Sequence, residues 1–324
     1  MRCAARLLVI AAGLLLATPT LALEGNTAAG PIGGTDIRSA QLPPPGVYGG
    51  VILLYAAAQH YFDGAGKSVP VFDGLKLRRQ LAGPFLLFVP DVQVFGGSVS
   101  LAAVAPMGSE CGNLFAGVAT HCASGLGDPY VEAGWSRFFG KMRPSKYAGA
   151  YPIAEGLSVA LGLGVVLPIG KYSAVDAATS GVTMGKNTFT VAPTVAFTYT
   201  TPPLIAEGTE LSARLYWNNY ATNPTTQYRS GPLLDLDFAL TEHIGRFQVG
   251  AAGYYAVQVA DDRLSGAPVP PDGRRAEVLN VGAVIAYDMP EYGSLLKVKA
   301  LQTVIVRNTP SAFGVAITWA KKFL

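Results

Sequence analysis

Hydrophobic and polar positions alternate along most of the chain with a period of two residues. The stretch TFTVAPTVAFTYT, residues 188–200, places its bulky side chains at every second position and only Thr and Ala between them. Side chains of a β-strand point alternately to the two faces of a sheet, so this spacing predicts a strand rather than a helix. A soluble strand usually carries charged residues on its exposed face, and this stretch carries none. Which face meets water therefore depends on the rest of the chain.

The same alternation predicts twelve strands. Their predicted bounds are 47–58, 75–89, 92–105, 128–138, 156–167, 188–200, 209–218, 231–240, 246–259, 276–287, 294–302 and 312–323. Connections after odd-numbered strands are mostly long and polar or glycine-rich, whereas those after even-numbered strands are mostly short. Residues 139–155 and 201–208 break this rule moderately, and the loop after the eleventh strand is short. An even strand number with loops of alternating length is typical of bacterial outer-membrane barrels.

Composition narrows the class of protein further. Half of the 324 residues are hydrophobic and 14% are charged, against roughly a quarter charged in an ordinary soluble domain. No run after the N-terminus approaches the roughly 20 apolar residues of a membrane-spanning helix. The predicted fold class is all-β, a transmembrane antiparallel up-and-down β-barrel of about twelve strands over residues 47–324. A large soluble β-protein is the alternative, and the shortage of charge disfavours it.

The N-terminus predicts export. Arg2 and Arg6 precede the apolar run LLVIAAGLLLA, and the motif TLA at residues 20–22 offers a small-residue cleavage site, so residues 1–22 are predicted to be a cleaved secretory signal peptide. With the barrel pattern, this places the protein in the outer membrane of a Gram-negative bacterium. The mature chain keeps 22 basic and 21 acidic residues, a balance that gives no support to nucleic-acid binding.

Residues 23–46 precede the predicted barrel. Three prolines, Pro43, Pro44 and Pro45, keep the end of this segment extended and outside a hydrogen-bonded ladder. The favoured interpretation is a periplasmic leader. The alternative is a plug that folds into the barrel, in which case deletion of residues 23–44 raises conductance.

In a barrel, the bulky face of each strand turns to lipid and the other face lines the lumen. A charge on the lipid face near mid-bilayer costs on the order of 2 to 4 kcal/mol for Arg or Lys, so alternation assigns the charged strand residues to the inside. The predicted lumen-lining residues are Glu132, Arg214, Tyr216, Asp235, Asp237, Lys297 and Lys299. The favoured role is a set of ion pairs and hydrogen bonds that brace the wall, and the alternative is a polar filter along a solute path.

Two cysteines remain after the signal peptide. Cys111 and Cys122 lie in a glycine-rich stretch of an exported chain, which predicts a disulfide that closes a surface loop. A metal site that uses His121 beside Cys122 is the weaker alternative, since no second close ligand pair accompanies it. No metal site is therefore predicted.

Catalytic motifs give no persuasive pattern. The sequence contains no GxSxG, HExxH or P-loop motif. Ser124 near His121 is the one candidate pair for an esterase, but nothing in the sequence fixes a nucleophile and a base within hydrogen-bond reach. We therefore predict no enzyme activity and no cofactor.

Several segments carry a family resemblance from about residue 35 to the C-terminus. The segments AQLPPPGVYGG, GLGDPYVEAGW, LPIGKY, NTFTVAPTVAFTY, LYWNNYATNPTTQYRSG, VGAAGYYAVQVADD and RNTPSAFGVAITWAKKF resemble the exported proteins named for the meta pathway of phenol degradation. The resemblance implies an outer-membrane barrel similar to porins and hydrophobic-compound channels.

The expected function is therefore passive uptake of small hydrophobic, plausibly aromatic, solutes. The expected partners are outer-membrane lipid and lipopolysaccharide, the solute itself, and the barrel-assembly machinery during biogenesis. The alternative function is a structural or surface-interaction barrel with a closed lumen and functional extracellular loops.

Overall fold

The structure is a computed structural model that describes residues 30–69, 76–112 and 119–324. The predicted signal peptide lies outside these residues. The strands that they form are β1 (Gly46–Phe62), β2 (Leu77–Val89), β3 (Gln93–Val94), β4 (Gly97–Val104), β5 (Met107–Gly112), β6 (His121–Leu126), β7 (Tyr130–Arg143), β8 (Ile153–Val166), β9 (Thr190–Thr200), β10 (Thr209–Tyr220), β11 (Tyr228–Arg229), β12 (Leu233–Ile244), β13 (Phe247–Gln258), β14 (Arg263–Leu264), β15 (Ala267–Pro268), β16 (Glu277–Met289), β17 (Ser294–Arg307) and β18 (Thr309–Lys322). The helix α1 (Ala174–Thr179) lies between β8 and β9.

Twelve of these strands close into an antiparallel barrel. The order around the wall is β1, β2, β4, β7, β8, β9, β10, β12, β13, β16, β17 and β18, and β18 pairs back onto β1 with Val51 opposite Trp319. Closure lets the wall strands satisfy one another's backbone groups, which lipid cannot do. The predicted twelve-stranded barrel is confirmed. Among the described residues, no helix is long and apolar enough to cross a bilayer.

The burial pattern shows which face of each strand points outward. In β9, the Thr and Ala side chains at even positions from 190 to 200 are buried, whereas Val195, Phe197 and Tyr199 are 49%, 40% and 45% exposed. In β12, Asp235 and Asp237 are fully buried and the leucines beside them point outward. The bulky faces therefore form the outer surface of the barrel, and the small and polar faces line its interior.

The two ends of the barrel differ. One end carries the start of β1, the end of β18 and the shorter connections, including the tight turn at Gly245 and Arg246 between β12 and β13. Gly245 has a φ of +61°, a left-handed conformation that glycine adopts at little cost. Short turns mark the periplasmic end of such barrels, and the longer loops lie at the extracellular end.

The cysteine stretch differs from the predicted loop. After the break at Pro106, β5 resumes pairing with β2, and β6 pairs with β5 so that Cys111 lies opposite Cys122. The two strands form a hairpin that extends the wall. The sequence concealed it because glycines and one proline interrupt the alternation that identifies a strand.

The last two strands are longer than predicted. β17 runs to Arg307, and Asn308 alone connects it to β18 at Thr309. Asn308 has a φ of +49°, a conformation that asparagine tolerates better than most residues. A single turn residue with this property replaces the predicted eight-residue loop.

Residues 30–45, called the inner segment from here on, lie inside the barrel. Near the extracellular end, Gly30 lies against Asn218 of β10, and near the periplasmic end Arg38 contacts Asp288 of β16. The chain then enters β1 at Gly46. This course corresponds to the plug alternative and not to the favoured periplasmic leader. Residues 23–29 lie outside the described part of the chain.

Candidate functional site

One side of the barrel wall, the eight strands from β7 to β17, binds the inner segment through polar side chains. Asp36 of the segment is buried, and its carboxylate lies 2.6 Å from the Lys297 ammonium and 2.9 Å from that of Lys299. Burial alone raises the pKa of Asp36, but the two lysines outweigh it and hold the pKa well below its usual range. The carboxylate is therefore charged and cross-links the segment to β17.

Arg38 makes a second set of contacts nearer the periplasmic end. Its guanidinium donates to both carboxylate oxygens of Asp288 at 2.7 and 3.1 Å and to Gln248 at 2.9 Å, while its backbone N–H donates to Glu210 at 2.8 Å. Burial lowers the pKa of Arg38, and the carboxylates of Asp288 and Glu210 raise it above the usual value. Glu210 also lies 3.1 Å from His243 Nε2. The two hydrogen bonds to Asp288 fix both the position and the orientation of the Arg38 guanidinium.

Asp235 and Asp237 bind the backbone of the inner segment. The N–H of Gly33 donates to Asp235 at 3.3 Å, and the N–H and hydroxyl of Thr35 donate to Asp237 at 2.7 and 2.8 Å. Within the described part of the chain, neither carboxylate has an ion-pair partner at bonding distance. Their contacts therefore hold the segment rather than a neighbouring strand.

The remaining predicted lumenal residues also point inward. Arg214 forms an ion pair and a hydrogen bond with Glu132 across the wall, and it donates to Thr194 at 3.0 Å. Tyr130 donates to Glu132 at 2.6 Å, and the Arg214 guanidinium lies 5.1 Å from the ring centre of Tyr216. All seven predicted residues thus lie on the inner face, but only this group braces strand against strand.

A cavity of about 500 Å³ lies beside the inner segment, towards the extracellular end. Ile32 of the segment lines it on one side. The aliphatic wall residues that line it include Ile52, Leu54, Ala56, Leu81, Leu301 and Ala316. Polar and charged side chains, among them Asp36, Lys297 and Lys299, line another part of it. A cavity of this size that combines apolar surface with polar groups is typical of small-molecule sites.

A second cavity of about 240 Å³ lies on the periplasmic side of the same segment. Arg38, Gln41 and Leu42 line it together with Tyr151 and Asp288. Asp36 lines the larger cavity and Arg38 the smaller one. The inner segment therefore lies between the two cavities and lines both of them.

Sequence reasoning missed the partners that the inner segment brings. The favoured interpretation places Asp36 and Arg38 in a periplasmic leader. Two charged residues in a glycine-rich stretch ahead of a barrel could have indicated contacts with charged residues of the lumen. Glu210 shares its strand face with Arg214, so the alternation rule applied to it equally. The aliphatic cavity gave no signal, because small apolar residues suit either face of a strand.

The two cysteines are joined in the structure, with an S–S distance of 2.07 Å. The bond links the paired strands β5 and β6, and residues 113–118 between them lie outside the described part of the chain. His121 and Ser124 are three residues apart on β6, so their side chains point to opposite faces. This placement disfavours the esterase pair.

Solved structures share this fold. An outer-membrane channel from Pseudomonas putida F1 superposes with a TM-score of 0.72 at 14% identity, covering 89% of this chain and 100% of that one. The β domain of the Bordetella autotransporter BrkA gives 0.44 at 11% identity, with 85% and 99% covered. A mutant of the TodX monoaromatic hydrocarbon channel gives 0.39 at 10% identity, with 90% and 94% covered. The last two superpose too weakly to support an argument.

The protein is a closed antiparallel β-barrel with an apolar outer surface. Comparison with curated protein sequences gave no match. A family profile described as "Putative MetA-pathway of phenol degradation" matches residues 58–319. That span is most of the barrel wall, and on this match the chain belongs to that family.

Proposed function

We propose that the protein is a passive outer-membrane channel for small hydrophobic solutes, aromatic ones included. The observation that carries the proposal is the cavity of about 500 Å³ inside the barrel, whose lining on strands β1, β2 and β18 is mostly aliphatic. A water-filled porin lumen is polar, whereas this space favours solutes that water excludes. The family description, with its reference to phenol degradation, supports an aromatic solute.

The inner segment acts as the plug of this channel. It lies in the lumen, and its contacts with Asp235, Asp237, Lys297 and Lys299 hold it against one side of the wall. Glu132, Arg214 and Tyr216 stiffen that side. The solute therefore passes along the apolar side, past a segment that restricts the flow of ions.

The role is transport without chemistry, and no cofactor takes part. The bulky outer faces of the strands contact outer-membrane lipid and lipopolysaccharide, and the barrel-assembly machinery inserts the chain. Lipopolysaccharide slows the entry of hydrophobic molecules, so a lumenal route gives such solutes an advantage.

The test is uptake of labelled toluene by intact Gram-negative cells that express the protein. Cells with the wild-type barrel take up toluene faster than cells without it, and Ala316→Trp, which fills the cavity, removes the difference. The matched control is Ala251→Trp on the exposed outer face of β13, at equal surface expression. Equal uptake with and without the barrel refutes the proposal. Equal uptake also favours the alternative of a closed barrel with functional extracellular loops. That alternative is tested by replacing loop 168–187 with a short turn and comparing adhesion with that of the wild type.

A further inference from the structure

We propose that the larger cavity contains a binding site for aromatic solutes that carry a hydroxyl group, formed by Tyr220 on β10 and Asn280 on β16. This inference rests on the proposed channel function and specifies the class of solute. Both residues line the cavity. A hydroxyl group of the solute donates to the Asn280 Oδ1 atom and accepts from the Tyr220 hydroxyl.

The first observation is that these two polar atoms have no partner. Within the described part of the chain, neither the Tyr220 hydroxyl nor Asn280 Oδ1 forms a hydrogen bond, although both atoms are buried. The residues are 3% and 5% exposed. A buried polar group without a partner costs about 1–3 kcal/mol, and native proteins leave few such groups unexplained. Two of them on one cavity wall indicate a polar partner that enters the cavity.

The second observation is that the structure fixes both groups. The Asn280 amide donates through Nδ2 to the Tyr254 hydroxyl, which leaves Oδ1 as a free acceptor. The Tyr220 ring packs in a cluster with Val166, Leu233 and Ala256, and Tyr254 packs against the same cluster. Tyr254 thus connects the two residues and holds them in one region of the wall.

The third observation is the contrast with the surroundings. The same cavity has an aliphatic surface, with Ile32 of the inner segment, Val278 and Leu301 among its lining residues. An aromatic ring is compatible with the aliphatic surface, and a single hydroxyl matches one donor and one acceptor. Binding of a hydrocarbon such as toluene leaves both polar atoms unpaired, and sites of this kind discriminate against analogues that lack the hydroxyl.

The experiment is isothermal titration of the full mature chain, purified in detergent, with phenol and with toluene, each corrected for a micelle blank. We expect phenol to bind the wild-type protein about thirtyfold more tightly than toluene, since each of the two hydrogen bonds contributes about fivefold. Tyr220→Phe removes only the hydroxyl and lowers this preference by about fivefold while toluene binding stays unchanged. Tyr199→Phe makes the same chemical change on the outer face of β9, where Tyr199 is 45% exposed, and leaves the preference intact.

Asn280→Leu is the second variant and removes the acceptor at similar volume. It gives the same loss of preference, and it keeps the test decisive if Tyr220→Phe does not fold. Equal affinity of the wild-type protein for phenol and toluene, or an unchanged preference in both variants, overturns the site but leaves the channel standing. Absence of binding by either solute, together with an uptake unaffected by Ala316→Trp, overturns the site and the channel function.

Discussion

The two halves of the barrel wall follow the same alternation and yet face the lumen with opposite chemistry. From β7 to β17, the inner positions carry acids, bases and amides that hold the inner segment. From β17 through β18 to β2, they are mostly small or aliphatic and line an open cavity. The comparison teaches that period-two alternation determines where the inside of a barrel is, but not what occupies it.

Electrostatics explains why the segment lies on one side. Buried charges need partners, because an isolated charge of low exposure loses its hydration without compensation. Asp36, Arg38 and the backbone N–H groups of the segment supply those partners. Strands β18, β1 and β2 present mostly small or aliphatic side chains to the lumen, so a space remains there that an apolar solute can fill.

Deletion of the inner segment has the largest expected effect, because it removes the polypeptide that the polar side of the wall binds. Deletion of residues 23–44 leaves a twelve-stranded barrel, intermediate in size between small barrels filled by side chains and open porins. We expect single-channel conductance in a planar bilayer to rise several-fold. Heat-modifiable migration on a gel confirms that the variant has folded. A folded variant with the conductance of the wild type would mean that residues 23–44 do not obstruct the lumen.

Blocking the apolar half affects solute uptake more than ion flow. Ala316→Trp adds a large side chain to the cavity and should reduce toluene uptake by about tenfold or more. The closely packed surroundings cannot move aside to restore the lost volume. Ala251→Trp on the lipid face should leave uptake unchanged. A similar loss of uptake in both variants would point to a general defect of assembly instead of a blocked route.

Substitution of Asp36 tests the ion pairs that hold the inner segment to the polar side of the wall. Asp36→Asn leaves Lys297 and Lys299 without their shared carboxylate, and loss of one partner of a buried ion pair costs on the order of 3–5 kcal/mol. We expect the segment to loosen, visible as frequent opening events in single-channel records. Lys321→Gln on the periplasmic end of β18, outside these contacts, is the control.

The lowered pKa of Asp36 adds a pH test to the same variant. A carboxyl group whose pKa is lowered in the folded state stabilises that state above its ordinary pKa, and it loses this contribution only when the pH falls through the lowered value. The Asp36 contact should therefore persist from pH 7 down to about 4, where an ordinary carboxyl group is partly protonated. Opening events in the wild type at pH 4 that match those of Asp36→Asn would contradict the ionised triad.

Alanine substitutions at two adjacent glycines have the smallest expected effect on docking of the inner segment. Gly33 has a φ of +63°, and a Cβ atom there would lie 2.5 Å from the Tyr254 ring, whereas a Cβ at Gly34 meets nothing within 4 Å. Gly33→Ala should weaken docking of the segment by about 1–2 kcal/mol from the left-handed backbone alone, and Gly34→Ala should be neutral. Protease accessibility of the segment in the folded barrel measures the difference. Equal accessibility of the two variants would show that Gly33 is not closely held.

Much of the fold could be predicted because it depends on local alternation. The stretch 188–200 indicated a strand with one bulky and one small face by its spacing alone. Once the whole chain predicted a barrel, alternation assigned the bulky face to lipid and placed Asp235, Asp237, Lys297 and Lys299 inside. Strand ends were less predictable. Pro106 hid a hairpin, and Asn308 replaced a loop, because a single residue at a turn decides whether pairing continues.

The candidate site was only half predictable. Its wall residues followed from alternation, but their hydrogen-bond partners in the inner segment lie 96 to 266 residues away in sequence. No local pattern encodes such a pairing. The same holds for Tyr220 and Asn280, whose free atoms become significant only because they share a cavity.

The sequence by itself determined that this chain forms a closed barrel and turns its bulky faces to lipid, because strand formation and lipid contact depend on residue type and spacing. Only the tertiary structure decided that residues 30–45 enter the lumen, which charges they neutralise and on which side a cavity remains. Those features arise from contacts between distant residues, and their energies depend on burial that exists only after the barrel has closed.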